Sequence, residues 1–125
     1  MEWQKASDVQ KEMEKIIDIL DLSYIDKSRV FCFRTNGSKA RAHARIWAFP
    51  KIFQDVLSIK PAYVIEVLSK HFDKKDDEFK KRVIIHELLH IPKNFSGALL
   101  PHRGRGRHLQ KQANILYKEF KKRSK

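Results

Sequence analysis

The sequence predicts an α+β fold, with a small sheet of three strands or slightly more packed against three principal helices. Apolar residues recur at helical spacing near the N-terminus, over residues 77–90 and near the C-terminus. Between these stretches lie short β-rich runs at 29–34, 39–49 and 63–68. Turn signals rather than low-complexity linkers separate the runs, so residues 1–125 read as one domain.

Ser7-Asp8-Val9-Gln10 has the form of a capping box, with Ser7 at the N-cap. Val9, Met13, Ile16, Ile17 and Leu20 then form one apolar stripe, which predicts a helix over about 8–21 with a solvated acidic face. The β-rich run Arg29–Arg34 is followed by Asn36-Gly37, a strong turn signal, and then by alternation over 39–49. The pair reads as a hairpin, with Ala42, Ala44, Ile46 and Ala48 on one face and His43, Arg45, Trp47 and Phe49 on the other. Pro50 can open a short helix containing Ile52, Phe53, Val56 and Leu57. A third strand, Tyr63–Leu68, is apolar on both faces except for Glu66. That carboxylate either orients a ligand imidazole, faces solvent at a sheet edge or pairs with Arg45.

The third apolar stretch carries the chemistry. Asp76 or Asp77 offers an N-cap and Glu78 places negative charge in the first turn. The helix then reads Val83-Ile84-Ile85-His86-Glu87-Leu88-Leu89-His90, which contains H-E-x-x-H. Residues four apart lie one above the other, so His86 and His90 can hold one Zn2+ at about 2.0–2.1 Å each. Glu87 lies one residue round the helix, where it can act as a general base on a water held by the metal. The plain alternative is a pair of core histidines. It leaves a buried carboxylate between two buried imidazoles without partners, at a cost of several kcal/mol.

Pro92 pushes Ile91 out of the α region and stops the helix, and Asn94–Gly97 reads as a loop. A last helix starts near Arg107 or His108 and carries Leu109, Ala113, Leu116, Tyr117 and Phe120 on one face. Catalytic zinc takes three protein ligands and an open position. His102, His108 and Glu119 are the candidates for the third, Glu119 having the look of a solvated charge. The metzincin pattern fails, because position 93 is not Gly and position 96 is Ser. His43 and His71 read as surface or turn residues.

Composition narrows the class. One cysteine, Cys32, excludes a disulfide framework and a Cys-based zinc finger. No run of 18 apolar residues exists and the N-terminus lacks a signal-peptide pattern, so an intracellular, cytoplasmic protein is expected. The net charge is +12 and concentrated late: residues 93–125 hold ten Lys and Arg against Glu119 alone, whereas residues 1–22 carry a net −3. Such an excess favours acidic or nucleic-acid-associated partners, and nucleic acid itself through residues 103–125.

Three segments, His86-Glu87-Leu88-Leu89-His90-Ile91-Pro92, Phe95-Ser96-Gly97 and Leu100-Pro101-His102, resemble the small archaeal and phage metallopeptidases. Ala44-Arg45-Ile46-Trp47 and Tyr63–Val67 extend the resemblance over most of the chain. It implies a minimal zincin-like fold with one zinc at the edge of a small sheet. It also implies a peptide or protein substrate, and His102 as the histidine that follows Phe-Ser-Gly in the family pattern. A likeness to SprT-type proteases, which act on DNA-bound proteins, is at the level of fold only. The mechanism expected is zinc-assisted amide hydrolysis with ligands His86, His90 and His102 and Glu87 as base, His108 or an arginine of 103–107 stabilising the oxyanion. Two other classes stay open: a nucleic-acid-binding protein with structural zinc, and a zincin without activity that serves as an interaction module.

Overall fold

The computed structural model describes residues 2–104 and 107–125. In chain order the elements are β1 (Glu2–Lys5), α1 (Ser7–Ile19), β2 (Val30–Asn36), β3 (Ala44–Ala48), α2 (Lys51–Leu57), β4 (Tyr63–Leu68) and α3 (Ser69–Phe72). There follow α4 (Asp77–Leu88), the short pair β5 (Arg103–Gly104) and β6 (Arg107–His108), and α5 (Leu109–Arg123). The class is α+β, with a four-stranded mixed sheet in the order β1-β2-β4-β3, and the arrangement is compatible with a small zincin-like fold.

β4 is apolar on both faces and lies inside the sheet, where neither edge meets water. It runs parallel to β2 and antiparallel to β3. The expected hairpin between the first and second β-rich runs, residues 29–34 and 39–49, is therefore not formed. Gly37 does take the left-handed backbone its turn signal implied (φ 81°), but the chain then crosses to the far side of β4 instead of returning beside β2. Direct pairing of β2 with β3 would have pushed β4 toward an edge, exposing the strand with most apolar surface to bury.

Two other expectations change at the N-terminus. Ser7 is not the cap of α1: Ala6 occupies that position, and no side-chain bond caps the helix. Ala6 N–H is instead drawn into the ladder, donating to Cys32 O at 3.0 Å. Gln10, expected to close the capping box, spans to β2, where its Oε1 accepts from Cys32 N–H (2.8 Å) and its Nε2 donates to Val30 O (2.9 Å). The preceding strand, β1, has no apolar alternation in its sequence. It exists through its antiparallel ladder to β2.

One face of the sheet is covered by α1, α4 and α5. Met13 and Ile16 of α1, Ile84 and Leu88 of α4 and Ala113 of α5 meet Val30, Ile65 and Val67, each at most 1% exposed. Each large aliphatic side chain buried this way contributes about 1.5–3 kcal/mol. The opposite face carries Glu66, hydrogen-bonded by Arg45 and Trp47 (2.7 Å each to Oε1) and by Thr35. Glu66 thus pairs with Arg45 and lies on the sheet face opposite the core. α2 turns its apolar residues outward and buries Gln54. Among the described residues, no helix is long and apolar enough to cross a membrane.

Candidate metal centre

α4 begins as its sequence dictates. Asp76 is the N-cap and its carboxylate accepts from Phe79 N–H at 2.8 Å, while Asp77 and Glu78 stand in the first turn. Ile84, Ile85 and Leu88 enter the core, which leaves His86 on the flank and Glu87 buried. The helix closes at Leu88 and the chain continues in a tighter turn, with His90 N–H donating to Glu87 O (3.1 Å) and Ile91 N–H to Leu88 O (3.0 Å). His90 therefore lies just past the α-helix. The His86 and His90 rings still face one another, with centroids 5.3 Å apart.

The third imidazole arrives by a loop that β4 holds in place. Tyr63 Oη donates to Ala98 O (2.9 Å) and accepts from Gly97 N–H (2.8 Å). Gly97 has φ +93°, and a Cβ built there would stand 2.3 Å from Gln54 Nε2, so the position tolerates only glycine without rearrangement. Beyond it, Leu100 N–H donates to His90 O (2.7 Å) and Leu100 O accepts from His90 Nδ1 (2.5 Å). Two residues later His102 stands over both imidazoles, with centroids 5.2 Å from His86 and 4.5 Å from His90.

The available ligand atoms of His86, His90 and His102 lie within 4.8 Å of one another. A carbonyl can only accept, so Nδ1 of His90 carries the proton and its Nε2 keeps a free lone pair. His86 Nδ1 is buried without a hydrogen-bond partner. Burial pushes the His86 imidazole down to about 4, helped by repulsion from His90 and His102, and burial lowers His90 as well. Three imidazoles in one cluster, two of them held toward the neutral form and one of these with an orphaned buried nitrogen, fit a bound metal ion. Glu87 is 7% exposed, and burial alone pushes its carboxyl up to about 7.

The cluster opens into a cavity of about 480 Å3 between the start of β3, α4 and the start of α5. Glu87, His86 and His102 line it together with His43, Arg82, Gln110 and Asn114. His43, a surface or turn residue by its sequence, sits half-buried in a bend just before β3 and packs edge-on against Phe79 (4.8 Å) at the cavity wall. Arg82 lies one turn before His86, a helical register that the sequence does display. Gln110 and Asn114 are brought in by tertiary packing of α5, which no local pattern signals.

His108 is outside the three-histidine cluster. It caps α5 and lines an adjoining cavity of about 430 Å3 with His86 and His102. Glu119 is engaged by Arg123 at 2.9 Å and is not part of the cluster. The arginine segment considered for the oxyanion falls partly beyond view: Arg105 and Gly106 lie outside the described residues, and only the backbone of Arg103 and Arg107 is described. Glu66 does not support a ligand imidazole, since its oxygens are taken by Arg45, Trp47 and Thr35.

Fold and site together define a small α+β protein with three histidines gathered at the end of one helix. The chain belongs to the family described as "Putative phage metallopeptidase", whose model matches residues 1–118. No curated protein and no solved structure matches the chain closely enough to count as a relative.

Proposed function

We propose that the protein is a zinc-dependent peptidase that hydrolyses peptide bonds with Glu87 as general base. The observation that carries this reading is the buried Glu87 carboxylate, which lines one cavity with His86 and His102 of the three-histidine cluster. Family membership supports the same class. His86, His90 and His102 would hold the ion, leaving one position open. When bound, zinc supplies Lewis acidity, lowering the pKa of water and polarising the scissile carbonyl.

The remaining work falls to the chain itself. Glu87 accepts the proton of the attacking water and passes it to the leaving amine nitrogen. Burial alone holds its carboxyl near 7, and a cation in the adjacent cluster favours the ionised form a base requires. His90 is kept in one tautomer by Leu100 O, which orients it toward the cluster. β3 is an edge strand at the cavity mouth. His43 O and Phe49 N–H bond toward β4's side, so ladder alternation turns the N–H and C=O groups of Ala44, Ile46 and Ala48 outward. An extended peptide can add to that edge and present its bond to Glu87.

Glu87→Gln tests this reading. The variant keeps the shape and removes the base, so zinc content stays near one per chain while hydrolysis of a denatured protein substrate falls by roughly two to four orders of magnitude. Undiminished hydrolysis by Glu87→Gln would overturn it.

A further inference from the structure

We infer that Arg82 makes the cavity a carboxylate-binding site, selecting peptides that carry an acidic group within one or two residues of the scissile bond. The inference rests on the peptidase reading for the word "scissile" but on its own observations for the site. Arg82 lines the same cavity as His86 and Glu87. Its Nε is buried and has no hydrogen-bond partner among the described residues. The only ion-pair partner it has there, Glu78, stands 4.0 Å away and is half exposed. The guanidinium carbon lies 6.0 Å from the centre of the Tyr117 ring, which steadies a charge it does not neutralise.

A half-buried guanidinium with an unmet donor is matched best by a planar anion that accepts two parallel N–H bonds, which is a carboxylate. Asn114 lines the cavity beside it, and its Oδ1 is engaged by Gln110 Nε2 at 3.3 Å. That bond leaves the two Nδ2 donors of Asn114 available, which again suits an anion. Among the described residues Glu87 is the one acid lining this cavity, and besides it only the loosely held, half-exposed Glu78 competes for the arginine. Position follows from helix geometry: four residues separate Arg82 from His86, about 6 Å along the axis. An extended peptide advances about 3.3 Å per residue, so a carboxylate one or two residues from the hydrolysed bond falls within reach. It has two sources, an Asp or Glu side chain or the terminal α-carboxylate.

The test is a binding measurement on the full chain carrying Glu87→Gln, loaded with zinc. Four peptides serve as probes: acetyl-Ala-Asp-Ala-amide, its Asn counterpart, acetyl-Ala-Ala-Ala with a free carboxylate, and acetyl-Ala-Ala-Ala-amide. NMR titration should show one carboxylate peptide binding about tenfold tighter than its neutral counterpart. The one that does identifies the source. The same titration on Glu87→Gln/Arg82→Gln, in the same metal state, subtracts any direct affinity of carboxylate for zinc, and there the preference should vanish. Arg82→Lys, which keeps charge and bulk but not the planar fork, should retain only part of it. Equal affinities in the parent, or a preference that survives Arg82→Gln, would overturn the inference. Selective binding without hydrolysis by the unmutated protein would leave the carboxylate site standing and count against the peptidase reading alone.

Discussion

His90 and Leu100 hold each other twice, through Leu100 N–H to His90 O at 2.7 Å and through His90 Nδ1–H to Leu100 O at 2.5 Å. The first bond fixes where the loop returns to the end of α4. The second fixes the imidazole that the returning loop meets, and two residues on the same loop delivers His102. Replacing Leu100 with Pro removes the N–H donor and leaves all three histidines in place. Zinc affinity, read by competition with a chelating dye, should fall about 10–100-fold, the usual effect of losing support behind a ligand. Leu100→Ala, which keeps both backbone bonds, should bind zinc nearly as the parent does. Unchanged affinity in Leu100→Pro would mean that the reciprocal pair does not position the site.

His102 and His108 give opposite expectations. His102 stands 4.5 Å from His90 between ring centroids, whereas His108 lies outside the cluster. His102→Ala should therefore release most of the zinc at micromolar free metal, and His108→Ala should retain about one ion per chain. Metal analysis of the two purified variants decides this. Zinc lost from His108→Ala and kept by His102→Ala would reverse the ligand assignment.

What the sequence displays and what it hides divide along local and tertiary lines. The α1 stripe, the Asp76 cap and the register of His86 with Glu87 are set by residues within a few positions of one another, and each is legible in the chain. The partner of β2 is not, because Asn36-Gly37 encodes a left-handed turn but cannot encode which strand lies beyond it. β4 settles that competition through burial on both its faces. Ser7 could cap α1 by local chemistry alone, yet Ala6 is bound into the β2 ladder and takes the cap position. In the same way Gln110 and Asn114 reach the cavity only because α5 packs on α4, a relation between segments more than twenty residues apart.

Glu66 supplies a test of the fold that is independent of the metal. Burial alone would raise its carboxyl, but hydrogen bonds from Arg45, Thr35 and Trp47 outweigh that and hold it below the usual carboxylate range. A depressed folded pKa contributes stability above the unfolded value of about 4.5, and this is lost as pH falls further. Glu66→Gln should thus cost about 1–3 kcal/mol at pH 7 in urea unfolding and flatten the acid limb of the stability profile. Zinc content should not change, because the carboxylate serves the sheet face opposite the core. Loss of zinc with an intact fold would restore Glu66 as a support for the metal site.

Glu87 gives the opposite sign. In the metal-free protein burial pushes its carboxyl from 4.5 up to about 7, so the folded state keeps a proton that the unfolded chain releases. Stability from this group is fully present below pH 4.5 and is lost as pH rises through 7. His86 works against it in the same range. Burial and its two histidine neighbours push it down to about 4, so stability falls as pH drops from 6.5. Both groups act in the parent, but only His86 remains in Glu87→Gln, and the difference between the two proteins isolates the carboxyl. Chelator-treated Glu87→Gln should gain on the parent as pH rises from 4.5 to 7.5, by about 3 kcal/mol at most in urea unfolding. With zinc bound the gap should narrow, because a cation beside Glu87 stabilises the ionised form that burial alone disfavours. Parallel stability profiles for the two metal-free proteins would show that Glu87 is ionised without a metal, and that the cavity is wetter than its 7% exposure implies.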